Sequence, residues 1–205
     1  MTLESSTALL GPRFASALGY VATLHATQLR KGTQTPYVSH LLAVASLAIE
    51  YGANEDEAIA ALLHDSIEDQ GGAEVRRRIT ALFGQAVADI VEGCTDTDVM
   101  PKPPWRERKE RYIAHVSDTS PSIRLVSMCD KLHNARSLIM DLRGKRADLW
   151  SRFSAGRDET CWYYRQLVTV FRSTLAKDPP SSLRMNELLE ELDHTVEILE
   201  RESAQ

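Results

Sequence analysis

The chain has little of what marks the more specialised protein classes. Only three of its 205 residues are cysteine, Cys94, Cys129 and Cys161, an odd number with no close-spaced pair. That usage excludes a disulfide scaffold and fits free thiols in a reducing, cytoplasmic setting. Aromatics make up 6%, with 10 glycines and 8 prolines, too few and too scattered for a collagen-like or low-complexity chain. An excess of positive charge is also missing. With 24 basic against 29 acidic side chains the net charge is -5, so no overall field draws in nucleic acid or an anionic membrane, and neither is expected as a partner. A phosphate-bearing ligand would need a local basic pocket. No window approaches the ~18 to 20 uninterrupted apolar residues of a spanning helix. The stretch Met1 to Arg13 lacks a basic segment followed by an apolar run, so neither a membrane span nor a signal peptide is expected.

What is present is 43% hydrophobic content, enough at this length for one domain with a real core, read as residues 1–205. Apolar residues recur at helical spacing almost throughout, and no alternating stretch is flanked by Asn-Gly or Asp-Gly turns. The expectation is an all-α fold. Thr35-Pro36 opens a helix running to about Tyr51, and Asn54 caps a second, roughly Glu55 to Asp69, that stops at Gly71-Gly72. Further helices are expected at about 73–83, 85–95, 105–116 and 121–142, the last ended by Gly144. Another covers 150–172 with a break near Gly156, and an amphipathic one covers 183–200. Asp96 to Pro104 carries three prolines and reads as a loop or lid.

The 55–69 segment holds the chemistry. Ala58 to Leu63 and Ile67 surround its axis with apolar side chains, the pattern of a buried helix. Yet His64, Asp65, Glu68 and Asp69 fall within an arc of roughly 140° at about 100° per residue. Burying carboxylates without compensation costs several kcal/mol each, so three acids and an imidazole on an interior face call for positive charge, most economically a divalent cation. Two adjacent residues do not fill a coordination sphere. His40 lies on an apolar stripe with Val44, Leu47 and Tyr51, and Asp130 interrupts Leu125, Val126, Met128, Cys129 and Leu132, which makes both candidates. Two nitrogens with two carboxylate oxygens suit Mn, Fe, Zn or Ni by ligand type.

This order, set in GTQTPYVSH (32–40), ALLHDSIED (61–69), Phe83-Gly84 and CDKLHNAR (129–136), resembles the HD superfamily of metal-dependent phosphohydrolases. It is similar in particular to the hydrolase domain of RelA/SpoT proteins and to the free-standing small alarmone hydrolases. The match covers roughly Leu18 to Arg172, leaving 181–205 as an additional C-terminal helix that could pack on the domain or mediate homo-oligomerisation. The resemblance implies a helical bundle of about eight to ten helices. It implies Mn2+, or another divalent transition metal, held by His40, His64, Asp65 and Asp130, with Glu68 and Asp69 as the catalytic acidic pair. The implied reaction removes the 3′-diphosphate of guanosine tetra- or pentaphosphate, giving GDP or GTP and pyrophosphate. Arg30 and Lys31 match the basic loop of the nucleotide site. Asn134, one turn after Asp130, shares its helix face. Trp150, Arg152, Arg157, Trp162, Tyr163 and Tyr164 form an aromatic and basic cluster suited to stacking and phosphate contact. From it Arg157 and Tyr164 are the substrate candidates, and Lys102 could also approach phosphates.

Two positions depart from the family pattern: Leu41 stands where proline is common, and Gln70 where threonine is usual. The residues leave His25, His115, His133 and His194 without a role, place no activating base on Ser66, and read the basic run 106–111 as a solvated helix face. Other readings of the same site are action on an adenosine alarmone or on the 2′-phosphate of NADPH, and a non-catalytic nucleotide sensor.

Overall fold

A computed structural model describes residues 10–97, 101–145, 149–150, 155–177 and 183–204. The elements are α1 (Pro12–Leu24), α2 (Val38–Glu50), α3 (Glu55–Leu63), α4 (Ser66–Gln70), α5 (Gly72–Phe83), α6 (Gln85–Cys94), α7 (Trp105–Val116), α8 (Pro121–Lys145), α9 (Arg157–Leu175) and α10 (Leu183–Ser203). Among the described residues the only strand-like pairing is one antiparallel bridge between Leu29 and Pro36, so the fold is all-α as the periodicity predicts. No helix there is long and apolar enough to cross a membrane, and the three cysteines carry free thiols.

The centre of the bundle is α3. Asn54 caps it through a reciprocal box, its Oδ1 accepting from Glu57 N at 3.0 Å while Glu57 Oε2 accepts from Asn54 N at 2.8 Å, which satisfies two otherwise orphaned donors. Every residue from Ala58 to Leu63 is buried, and α1, α2, α6 and α8 pack around it. Small side chains on α3 let these neighbours approach closely. Gly93 does the same on α6, where a Cβ would sit 2.4 Å from Ile123 Cδ1 of α8.

The expected helix over 55–69 is in fact two. α3 ends at Leu63 and α4 begins at Ser66, with Asp65 between them at φ -96°, ψ -2°. The apolar pattern runs through the break and hides it. The cause is local: His64 Nδ1 bonds the carbonyl of Ala61 at 2.8 Å, and Asp65 sits in the bridge region as N-cap of α4. Two further boundaries move. α2 starts at Val38 because Thr35 and Pro36 are tied back to the preceding segment, Arg30 N donating to Thr35 O and Tyr37 N to Gln28 O, both at 2.8 Å. The resulting loop turns at Gly32, φ 72°, and carries Arg30 and Lys31. α8 continues past Gly144, and α1 is an element the sequence reading did not single out.

The tail is part of the bundle. α10 packs along α8 and α9, burying Leu188, Leu189, Leu192, Val196 and Leu199 at the three- and four-residue spacing of one helical stripe. Asp96, Thr97 and 101–104 are non-helical, as expected for the proline-rich loop.

Candidate metal centre and nucleotide groove

Three parts of the bundle converge beside the α3–α4 break. α2 supplies His40, the break supplies His64 and Asp65, and α8 supplies Asp130; both imidazoles and Asp130 are buried. Asp65 Oδ2 lies 3.0 Å from His64 Nε2 and 3.6 Å from His40 Nε2, while Asp130 Oδ1 lies 3.1 Å from His40 Nε2 and 3.5 Å from His64 Nε2. At those distances neither Nε2 makes a hydrogen bond of acceptable geometry, although both are sealed from solvent. Buried polar atoms left in this way are rare and call for an explanation. Two nitrogens and two oxygens facing a common point are the donor set of a divalent transition metal, and His40, His64 and Asp65 place their ligand atoms within 4.8 Å of one another.

The surrounding hydrogen bonds present these lone pairs inward. Because His64 Nδ1 donates to Ala61 O, Nε2 is the nitrogen that gives up its proton when a metal binds. His40 Nδ1 faces His133 Nδ1 at 2.8 Å, so His40 donates there when its Nε2 acts as a ligand, with His133 as acceptor. His133 is kept neutral by burial first and by the His40 and Arg30 beside it, which bring its pKa down to about 4. Tyr37 Oη donates to Asp65 Oδ2 at 2.5 Å, Lys131 Nζ to Asp130 Oδ2 at 2.5 Å, and Asn134 Nδ2 to Asp130 Oδ1 at 2.5 Å. Such outer partners orient ligands and hold their charge. Burial alone would raise both carboxyls; His64 for Asp65, and Lys131 for Asp130, instead hold them well below the carboxylate range. Burial likewise disfavours a charged His64, and Asp65 and Asp130 override it and raise its pKa. The cluster therefore demands a positive charge at its centre.

A cavity of about 340 Å³ opens on this cluster, and a second lobe of about 550 Å³ shares Lys31, Tyr37, Asn134, Leu138 and Tyr164 with it. In the first lobe Glu68 is fixed from two sides, Oε1 by Lys102 Nζ at 2.7 Å and Oε2 by Asp96 N at 3.2 Å. Asp69 is open to the lobe, with Oδ2 accepting from Gln28 Nε2 at 2.8 Å; partial burial and then the charge of Asp65 raise its pKa. Lys102, Arg108, Lys109 and Lys131 line the same lobe. Arg108 and Lys109 pair with Asp96, so the basic run 106–111 is not wholly solvated: these two turn inward while Arg106 and Arg111 stay outside. In the second lobe Arg30 Nη2 donates to Asn134 Oδ1 at 3.0 Å, and its guanidinium lies 5.8 Å from the Tyr37 ring centre.

Of the C-terminal candidates, Tyr164 lines both lobes and Tyr163 the first. Arg157 borders neither. It is the first residue of α9, exposed, and bound to Asp158 and the Ser203 carbonyl, because α9 starts there and its first turn faces the end of α10. Trp162 is covered by Arg106, whose guanidinium lies 3.2 Å from the ring centre, and Trp150 packs on the core; Arg152 lies outside the described residues. The sequence reading did not bring Tyr37, Lys131 and Asp96 to the site; the structure places them there, sets His133 beside His40, and buries His25 against Gln28 and Ser66. Adjacency to Asp130 was the available signal for Lys131 and His133. His115 and His194 are exposed.

An HD-domain family model matches residues 17–161, and the chain belongs to that family, whose phosphohydrolases are metal-dependent. Its curated relatives narrow the class. A protein named guanosine-3′,5′-bis(diphosphate) 3′-pyrophosphohydrolase MESH1 from Xenopus tropicalis is 39% identical over 125 residues, 60% of this chain and 67% of that protein. Its Drosophila melanogaster counterpart is 32% identical over 167 residues, 80% of this chain and 87% of that one. A solved structure titled as a metazoan ortholog of SpoT that hydrolyzes ppGpp shares the fold at TM-score 0.63 and 28% identity, covering 93% of this chain and 98% of its own.

Proposed function

We propose that this protein is a metal-dependent 3′-pyrophosphohydrolase of guanosine 3′,5′-bis(diphosphate), releasing pyrophosphate and GDP, and that it accepts the pentaphosphate to give GTP. The observation that carries the reading is the pair of buried, unbonded Nε2 atoms of His40 and His64 facing Asp65 and Asp130. These four residues would hold the metal; their mixed nitrogen and oxygen set is compatible with Mn2+, and the family resemblance is what favours that ion. Bound there, the metal would acidify water and withdraw charge from phosphate oxygens.

The chain's own residues do the rest. Glu68, clamped between Lys102 and the Asp96 amide, orients the attacking water towards the 3′-phosphorus. Asp69, with Oδ2 engaged by Gln28, uses Oδ1 to take a proton. Lys102 and Lys131 supply positive charge beside the phosphates in a partly enclosed cavity, where such charge acts strongly. Lys31, Asn134 and Tyr164, which border both lobes, and Arg30, which borders the second, would seat ribose and base.

Product analysis with metal-stripped protein tests this. Adding Mn2+ and guanosine tetraphosphate should give GDP and pyrophosphate in equal amounts, and Asp65→Ala and Glu68→Ala should each abolish it. The adenosine counterpart and NADPH run in parallel; turnover of either in preference to the guanosine substrate would displace the assignment.

A further inference from the structure

Hydrogen bonds behind Asp69 lead to a buried histidine that the reaction above does not use. His25 directly follows α1 and is 2% exposed. Its Nε2 lies 3.1 Å from Ser66 Oγ and its Nδ1 2.6 Å from Gln28 Oε1, and its ring stacks on Tyr37 at 5.8 Å. Gln28 Oε1 also accepts from Gln70 Nε2 at 2.5 Å, and Gln28 Nε2 donates to Asp69 Oδ2 at 2.8 Å. An amide oxygen and a carboxylate only accept, so the direction of each bond is settled. His25 carries its proton on Nδ1, and its Nε2 accepts from the Ser66 hydroxyl. A flipped Gln28 would set its amide oxygen against the Asp69 carboxylate.

We propose that His25, Gln28 and Gln70 are positioning residues that lock the Gln28 N–H onto Asp69 Oδ2 and so aim the other carboxylate oxygen at the reacting water. This rests on the catalytic reading of Asp69. Ser66 fixes the far end of the chain of bonds, and the Gln28 N–H opposes the upward pull that burial and Asp65 exert on the Asp69 carboxyl. Gln70 supplies the second donor that keeps Gln28 from turning.

Two substitutions in the Mn2+-loaded enzyme separate positioning from mere support. Gln28→Glu keeps an acceptor for His25 and Gln70 but sets a carboxylate against Asp69; Gln28→Met removes all three bonds. The expected kcat loss is about tenfold for Gln28→Met and about a hundredfold for Gln28→Glu, the span typical of outer partners, with KM within about twofold. Melting temperatures should run the other way, Gln28→Glu staying nearer the parent. In an Asp69→Asn background Gln28→Glu should cost no further kcat. Activity that simply follows stability, with Gln28→Met the worse, overturns the proposal, as does a full additive loss in the Asp69→Asn background. If Asp69→Asn alone leaves kcat unchanged, the catalytic reading of Asp69 fails, and this inference falls with it.

Discussion

Charged groups are treated in opposite ways at the two ends of α8. Around Asp130 they lie inside the protein, pinned by single, directed bonds from Lys131 and Asn134, and two imidazole nitrogens are left without a partner. Along the later turns the charges lie at the rim. Arg136 pairs with Glu191 and Arg143 with Glu202, while leucines of α10 fill the seam between the helices. The first arrangement costs stability and is retained because it leaves a position for something else to bind. The second is an ordinary amphipathic interface whose charges mark its edge.

The sharpest way to break this contrast is at the buried end. Asp130→Asn should remove Mn2+-dependent hydrolysis by about a thousandfold or more, since a lost ligand removes the metal's whole contribution. Thermal melting gives an independent readout. The parent should gain melting temperature on adding Mn2+ by mass action, whereas Asp130→Asn should not respond; an undiminished response would show that Asp130 is not a ligand. At the packed end, Leu192→Ala should cost about 2–5 kcal/mol, because Leu192 is fully buried and the helices around it cannot collapse freely into the space. Urea titration measures that loss, and kcat of the remaining folded enzyme should stay close to the parent's. A fall in kcat without a stability loss would mean the tail acts on the site rather than supporting it. Tyr37→Phe should have a smaller effect. It removes only the hydroxyl on Asp65, with an expected loss of about tenfold in metal affinity by competition with a chelator and little change in folding.

The same contrast explains what could be read from the sequence. His40, His64, Asp65 and Asp130 stand out because each interrupts an apolar helical stripe, and a stripe is a local pattern. The all-α fold was legible for the same reason. The break between α3 and α4 was not, since Ala58 to Leu63 and Ile67 continue the periodicity across it, while the bend depends on one bond from His64 to a carbonyl behind it. The setting of His25 is not visible locally, for Ser66 and Gln70 reach it only when α1 packs on α4. Arg157 is the opposite case. Composition near the aromatic cluster suggested a phosphate contact, but side-chain direction is set by where α9 begins, and that start turns it away from the groove.

The smallest effect should come from the rim of the α9–α10 seam, and its smallness is the informative part. Arg165 donates to Glu200 and to Asp193 Oδ1 at 2.6 Å, while Arg172 takes Asp193 Oδ2 at 2.5 Å, a network that looks substantial on paper. Its side chains remain partly open to solvent, which screens the attraction, and ordering a long arginine opposes it. Arg165→Met keeps the apolar stem over the seam and removes the charge, so it should cost about 1 kcal/mol or less in urea titration and leave kcat and KM unchanged. The cost should shrink further in 1 M salt. A salt-insensitive loss as large as that of Leu192→Ala would mean that this seam, like the metal end, is held by buried electrostatics, and the contrast between the two ends of the bundle would disappear.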